Sequence, residues 1–184
     1  MHLIIPAEPY LASYADALRR GWSPNTMRPE ASDEQLEQIA QDAPGFLAGL
    51  VDRDAKGAPI LLPDGSLSQR LPSFYRWMWD GEFCGSISFR WQPGTPELPP
   101  HVLGHIGYSV VPWKRGRGYA TRALALFLPV VKAEGLPYVE LTTDLGNVPS
   151  QKVITTNGGV LVEQFTKTAH YGGEEGLRFR IDLR

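Results

Sequence analysis

The chain has 184 residues, 42% hydrophobic and 21% charged, with a formal charge of −2. That is enough for one domain with a substantial core, and the slightly acidic balance excludes a general attraction to nucleic acid or to an acidic membrane. The one cysteine, Cys84, excludes an internal disulfide and a cysteine-based zinc cluster, and suits a reducing, cytoplasmic setting.

The N-terminus, Met1-His2-Leu3-Ile4-Ile5-Pro6, has no basic region and only a short apolar run, so a signal peptide is not expected. No apolar run approaches the roughly 18–20 residues that span a bilayer. Leu3-Ile4-Ile5 reads as a first strand. Pro9 opens a helix whose face carries Leu11, Tyr14, Ala15 and Leu18. Ser32-Asp33-Glu34-Gln35 fits a capping box for a second helix running to about Asp42. Residues 44–72 hold many breakers, Pro63 among them. No regular element is assigned there, and such a segment in a compact domain suits a functional loop that shapes an acceptor pocket.

Ser73 to Trp79 is a strand by its aromatic content. Asp80-Gly81 is a hairpin turn, and Glu82 to Trp91 returns. On that return strand Phe83, Gly85, Ile87, Phe89 and Trp91 alternate with Cys84, Ser86, Ser88 and Arg90. Cys84 reads as structural, and the five scattered tryptophans read as core. After a proline-rich loop, His105 to Val111 is another strand. A helix follows over 119–134 with Ala120, Leu124, Leu128 and Val131 on one face, and Pro129 predicts a kink or a restart within it. Tyr138 to Thr143, Val160 to Phe165 and Leu177 to Leu183 are strands, the last two separated by the loop 167–176, which contains His170. The fold class is α+β, with a largely antiparallel sheet.

The informative stretch joins the strand at 105–111 to the helix at 119. Lys114-Arg115-Gly116-Arg117-Gly118-Tyr119-Ala120-Thr121 is a basic glycine turn that feeds a helix N-terminus. The first helical amides have no internal acceptor, and the helix dipole adds about half a positive charge there. An anion satisfies both. Gly116 and Gly118 permit positive φ and close backbone approach, and Lys114, Arg115 and Arg117 add mobile positive charge. A pyrophosphate fits such a pocket. The Walker loop and the Rossmann fingerprint both fail on spacing, because Thr121 stands where the third Rossmann glycine would be.

Arg115-Gly116-Arg117-Gly118-Tyr119-Ala120 resembles the acetyl-CoA pyrophosphate loop of the GNAT N-acetyltransferases. Asn147-Val148-Pro149-Ser150-Gln151-Lys152-Val153-Ile154, ending in Gly158-Gly159, is similar to the second motif of the same family, in the family's order and separation. The likeness covers about residues 101–165, and Gly104-His105-Ile106-Gly107-Tyr108-Ser109-Val110 is similar to a bacterial branch of the family.

The resemblance implies one acetyltransferase domain over 1–184, with acceptor-side helices and loop in 1–72 and the sheet core and acetyl-CoA half in 73–184. It implies a mostly antiparallel twisted sheet of six to seven strands, about four helices, and a splayed strand pair that receives acetyl-CoA. The cofactor shell carried over is Val110, Val111, Arg115, Gly116, Arg117, Gly118, Tyr119, Ala120, Thr121, Asn147, Ser150 and Lys152. Val110 and Val111 would pair with the pantetheine amides, and a free amide of that strand would serve as oxyanion donor. No metal is implied.

Many members carry a tyrosine acid seven residues after the motif asparagine, but here that position is Ile154. Ser150, Tyr108 and Tyr171 are the replacement candidates, and direct protonation of the thiolate by solvent is the alternative. His105 and Glu140 are the nominees for base, since an unperturbed histidine titrates near 6.5. The expected activity is transfer of an acetyl group to a primary amine of a small molecule or peptide by direct attack in a ternary complex. The alternatives are a non-catalytic acetyl-CoA sensor and another acyl-CoA transferase. The edge strands near the C-terminus suit a homodimer.

Overall fold

A computed structural model of the chain describes residues 1–25, 28–62, 65–168 and 171–184. Pro63 and His170 lie outside the described residues. In chain order the elements are β1 (His2–Ile4), α1 (Glu8–Arg19), α2 (Ala31–Gly49), β2 (Val51–Asp52), β3 (Ile60–Leu61), β4 (Leu67–Ser68), β5 (Ser73–Trp79), β6 (Phe83–Arg90), β7 (Ile106–Val110), a single 3-10 turn (Pro112–Lys114), α3 (Tyr119–Lys132), β8 (Tyr138–Asp144), α4 (Val148–Thr156), β9 (Val160–Thr166) and β10 (Glu175–Asp182). Among the described residues, no helix is long and apolar enough to cross a membrane.

The mixed α and β class holds, but the sheet comes in two pieces. The first runs β1-β5-β6-β7, with β2 beside β1 on the outer edge of β5, and the second runs β8-β10-β9. The assigned strand pairs in both pieces are antiparallel. A small hairpin of β3 and β4 stands apart. One core packs α3 and α4 against both pieces, with Phe74, Ile87, Phe89, Leu124, Phe127, Leu141 and Ile154 fully buried or nearly so. The other packs α1 and α2 against the opposite face of β5 and β6, where Tyr14 stacks on Trp77 at 4.5 Å between ring centroids. Strand β6 is covered on both faces, so Cys84 is fully buried although it lies opposite the apolar set of its strand.

The face of α1 expected to be apolar is the face it buries. Three local expectations are corrected. Helix α2 begins one residue before Ser32, whose hydroxyl turns back to the Pro29 carbonyl at 2.8 Å, so no capping box forms. The helix breaks at Asp42 (φ −152°, ψ 82°) and then resumes over 43–49. The Asp42 carboxylate accepts from the Gly45 amide at 2.9 Å and caps the new start. Pro44 then falls in a first turn, where its missing amide hydrogen costs nothing. Helix α3 passes through Pro129 without restarting. Pro129 and Ala125 both lie on the exposed side of the helix, so the carbonyl that loses its partner faces water.

Candidate active site

The two sheet pieces meet at one point and then part. The His105 amide donates to the Glu140 carbonyl at 2.7 Å, and the Glu140 amide donates back to His105 Nδ1 at 3.0 Å. Gly104 allows this approach, because a Cβ there would sit 3.1 Å from the Glu140 carbonyl oxygen. Beyond this pin, β7 and β8 share no ladder, which opens a wedge between them.

The antiparallel alternation fixes which backbone groups face the wedge. Arg90 donates to the His105 carbonyl at 2.9 Å and Val111 donates to the Cys84 carbonyl at 3.0 Å. Residues 107, 109 and 111, with the His105 carbonyl, therefore bond toward β6, and the N–H and C=O of Tyr108 and Val110 point into the gap. Val111 is corrected as a cofactor-pairing residue. Its amide is taken by Cys84, its carbonyl accepts from Lys114, and its side chain is fully buried.

The glycine turn follows at the open end of the wedge. Gly116 and Gly118 adopt φ of 75° and 72°. Gly118 is the left-handed N-cap of α3, and no side chain caps that helix. Residues 115–118 are exposed and Tyr119, Ala120 and Thr121 are half-buried. Among the described residues, the amides of Gly116 to Thr121 have no acceptor in hydrogen-bonding geometry. Arg117 is exposed beside them, and Arg115 Nε donates to the Val110 carbonyl at 3.2 Å, tying the turn to the strand edge.

Lys114 is not the mobile cation expected. Its ammonium is buried against Asp80 at 2.7 Å and Glu82 at 2.7 Å. The Tyr119 hydroxyl donates to the same Asp80 at 2.6 Å. Burial by itself would raise the Asp80 carboxyl, but the hydrogen bonds from Lys114 and Tyr119 outweigh it and hold the carboxyl well below its usual range. This clamp fastens the glycine turn to the β5–β6 hairpin and commits the Tyr119 hydroxyl to Asp80, leaving its backbone amide exposed to the turn.

Across the wedge, Asn147 caps α4, its Oδ1 accepting from the Ser150 amide at 3.2 Å. Lys152 is exposed on the same helix. Ser150 Oγ lies 2.7 Å from the Tyr108 hydroxyl, which also donates to the Ser150 carbonyl at 3.3 Å. Burial pushes the Tyr108 hydroxyl's pKa up, only partly offset by Ser150, so it stays protonated at neutral pH. Ile154 is 1% exposed and packs in the core, so it offers the wedge nothing. Tyr171 donates its hydroxyl to the His101 carbonyl at 2.8 Å and is committed there.

Both nominees for base are corrected. His105 is fully buried beside Phe89 and Tyr138, with Nδ1 already accepting from Glu140. Burial drives its pKa down to about 4, against a smaller upward pull from the Glu140 carboxylate. Burial by itself would raise Glu140, but hydrogen bonds from Arg180 and Arg178 hold it below the usual carboxylate range. A charge-paired carboxylate with lowered proton affinity is a poor base.

His105 makes a stability prediction instead. In the unfolded chain it takes up a proton near pH 6.5, but in the fold only near pH 4. Between those values the unfolded state binds more protons, so stability rises with pH. The His105 contribution is complete above pH 6.5 and is lost as pH falls toward 4, on the order of 3 kcal/mol in all. The difference in denaturation free energy between wild type and His105→Asn should slope across this window and flatten on either side. A flat difference from pH 7 to 4 would disprove the assignment.

On the α1–α2 side, a groove of about 1,040 Å³ runs between α2 and the edge of the first sheet, lined among others by Gln35, Phe46, Leu50, Ser73 and Tyr75.

Residues 7–160 match the Acetyltransferase (GNAT) domain family. No curated protein matches the chain in sequence. Among solved structures, Mycobacterium smegmatis RimJ in complex with a CoA disulfide is 19% identical, with a TM-score of 0.63 over 98% of this chain and 80% of that one. RimL, a ribosomal L7/L12 alpha-N-protein acetyltransferase in complex with coenzyme A, is 12% identical, with a TM-score of 0.61 over 98% and 92%. The ribosomal-protein-S5-alanine acetyltransferase from Vibrio fischeri is 18% identical, with a TM-score of 0.61 over 98% and 92%. At these identities the likeness is one of fold. The exposed amide turn, the free amides of Tyr108 and Val110 on the strand edge beside it and the wedge suit a diphosphate followed by an amide-bearing arm. With the family match over most of its length, the chain belongs to the GNAT family and is an acetyl-CoA-dependent acetyltransferase.

Proposed function

We propose that the enzyme acetylates a primary amine, on a small molecule or a peptide, by direct attack within a ternary complex. One observation carries this reading. The amides of Gly116 to Thr121, without acceptors among the described residues, stand at the open end of the same wedge that the backbone edge of Tyr108 and Val110 faces. Related folds support an amine acceptor, since RimL is described as a ribosomal L7/L12 alpha-N-protein acetyltransferase.

Acetyl-CoA supplies the activated acyl group as a thioester. The turn amides, with Arg115 and Arg117, would hold the diphosphate, with Lys152 and Asn147 bordering the wedge across from them. The Val110 amide would pair with the arm. The Tyr108 amide faces the gap and is placed to donate to the carbonyl oxygen as charge builds on it, a donor worth about 10²–10³ in rate. Attack forms the C–N bond and expels the sulfur, and Ser150 Oγ would give its proton to that sulfur as it takes up the one the nitrogen sheds, with Tyr108 holding the serine hydroxyl in line. Calorimetry with acetyl-CoA and thiol release across an amine panel test the proposal. Binding with turnover of at least one primary amine is expected, and absence of acetyl-CoA binding overturns it.

A further inference from the structure

We infer that Arg90 is a specificity residue and that the acceptor carries a carboxylate within about one residue's length of its amine. This rests on the reaction centre proposed above. Directly opposed residues in neighbouring antiparallel strands share a face. Tyr75, Ser88 and Gly107 form one such row across β5, β6 and β7, and Ser73 stands opposite Arg90 in the next. Ser73 and Tyr75 line the groove. The two rows therefore lead from the groove to the edge of the wedge, and the Arg90 side chain lies along them.

The Arg90 guanidinium is held loosely. Its Nη2 donates to Ser88 Oγ at 3.4 Å, and it has no ion-pair partner among the described residues. The nearby Arg178 and Arg180 are both tied to Glu140. A half-buried cation without a counter-ion is costly unless something supplies one. Gly107 leaves the strand bare at that spot. A Cβ there would lie 3.6 Å from Arg90 Nη2 and 3.7 Å from Ser88 Oγ, which is ordinary contact, so the fold itself does not demand a glycine. The missing side chain leaves room for a ligand group against the guanidinium. Consecutive Cα atoms are about 3.8 Å apart, so this seat is one step from Tyr108, whose amide faces the reacting carbonyl in the proposed arrangement. A planar guanidinium with free donors matches a carboxylate.

Two sources share this chemistry: the α-carboxylate of a free amino acid, and the acidic side chain next to a peptide's N-terminal residue. The test compares kcat/KM for alanine against alaninamide, and for tetrapeptide amides beginning Ala-Glu against Ala-Gln, with wild type, Arg90→Gln and Arg90→Lys. Wild type should prefer the carboxylate member of at least one pair by about 10- to 100-fold, the range expected for a charge-assisted hydrogen bond. Arg90→Gln should erase that preference while changing the uncharged member less than about threefold, and Arg90→Lys should restore part of it. Whichever pair shows the preference identifies the source. Equal rates within both pairs in wild type, zero included, or equal losses on both members in Arg90→Gln, overturn the inference. Acetyl-CoA calorimetry on the same proteins separates this from failure of the underlying reading, which alone predicts that binding.

Discussion

Gly118→Asp is expected to abolish measurable acetyl-CoA binding in calorimetry, a loss of at least about 100-fold or roughly 2.7 kcal/mol, while the protein still folds. The position begins α3 at φ 72°, and a Cβ there would meet nothing within 4 Å. Aspartate is among the residues that tolerate the left-handed region best, so the backbone cost is about 1 kcal/mol, a shift of roughly 2–4 °C in Tm for a chain of this size. The new carboxylate would lie beside the amides of residues 119–121, where helix N-terminal charge favours an anion. It would occupy donors that a diphosphate needs and repel that diphosphate. Gly118→Ala is the control: it carries the same backbone restriction without the charge, and should weaken binding much less. Equal affinities for wild type and Gly118→Asp would mean that this turn holds no phosphate.

The sequence located backbone-borne features well. A glycine in a turn between a strand and an apolar helix carries its reason with it, and Gly116 and Gly118 do adopt positive φ. The Asp80-Gly81 hairpin and the buried face of α1 follow just as directly from local pattern. Side chains at the sheet junction were less legible. Nothing in two-residue alternation says that the sheet splits after His105, so a histidine that pins the split reads as a nominee for base. Glu140 looked free because Arg178 and Arg180 are some forty residues away in sequence. Lys114 read as a loop cation because its partners, Asp80 and Glu82, lie on a distant hairpin. Arg90 belongs to neither family motif, and the one local signal it gives is the polar alternation Ser86, Ser88, Arg90 on a buried strand. Tyr108 and Ser150 could each be nominated, but their contact across 42 positions could not be read from either motif.

That contact carries the second large effect. Ser150→Ala should lower kcat by about 10²- to 10⁴-fold, the range for losing a general acid, with acetyl-CoA affinity changed less than about threefold. The serine hydroxyl sits at the first turn of α4, where the Asn147 cap and the Tyr108 hydroxyl fix its position. Tyr108→Phe keeps the ring in its half-buried site but removes the hydroxyl that holds Ser150. It should lower kcat by a smaller factor, about 10-fold, since the serine remains but is free to turn. The double variant should be no slower than Ser150→Ala alone, because groups that act in one relay are not additive. Additive losses would instead show two independent roles. In the proposed relay serine acts through its proton rather than its size, so Ser150→Cys, which keeps a donor, should recover part of the rate. If Ser150→Ala retained full kcat, the leaving sulfur would have to be protonated from elsewhere, and the Tyr108 contact would be a strut between β7 and α4.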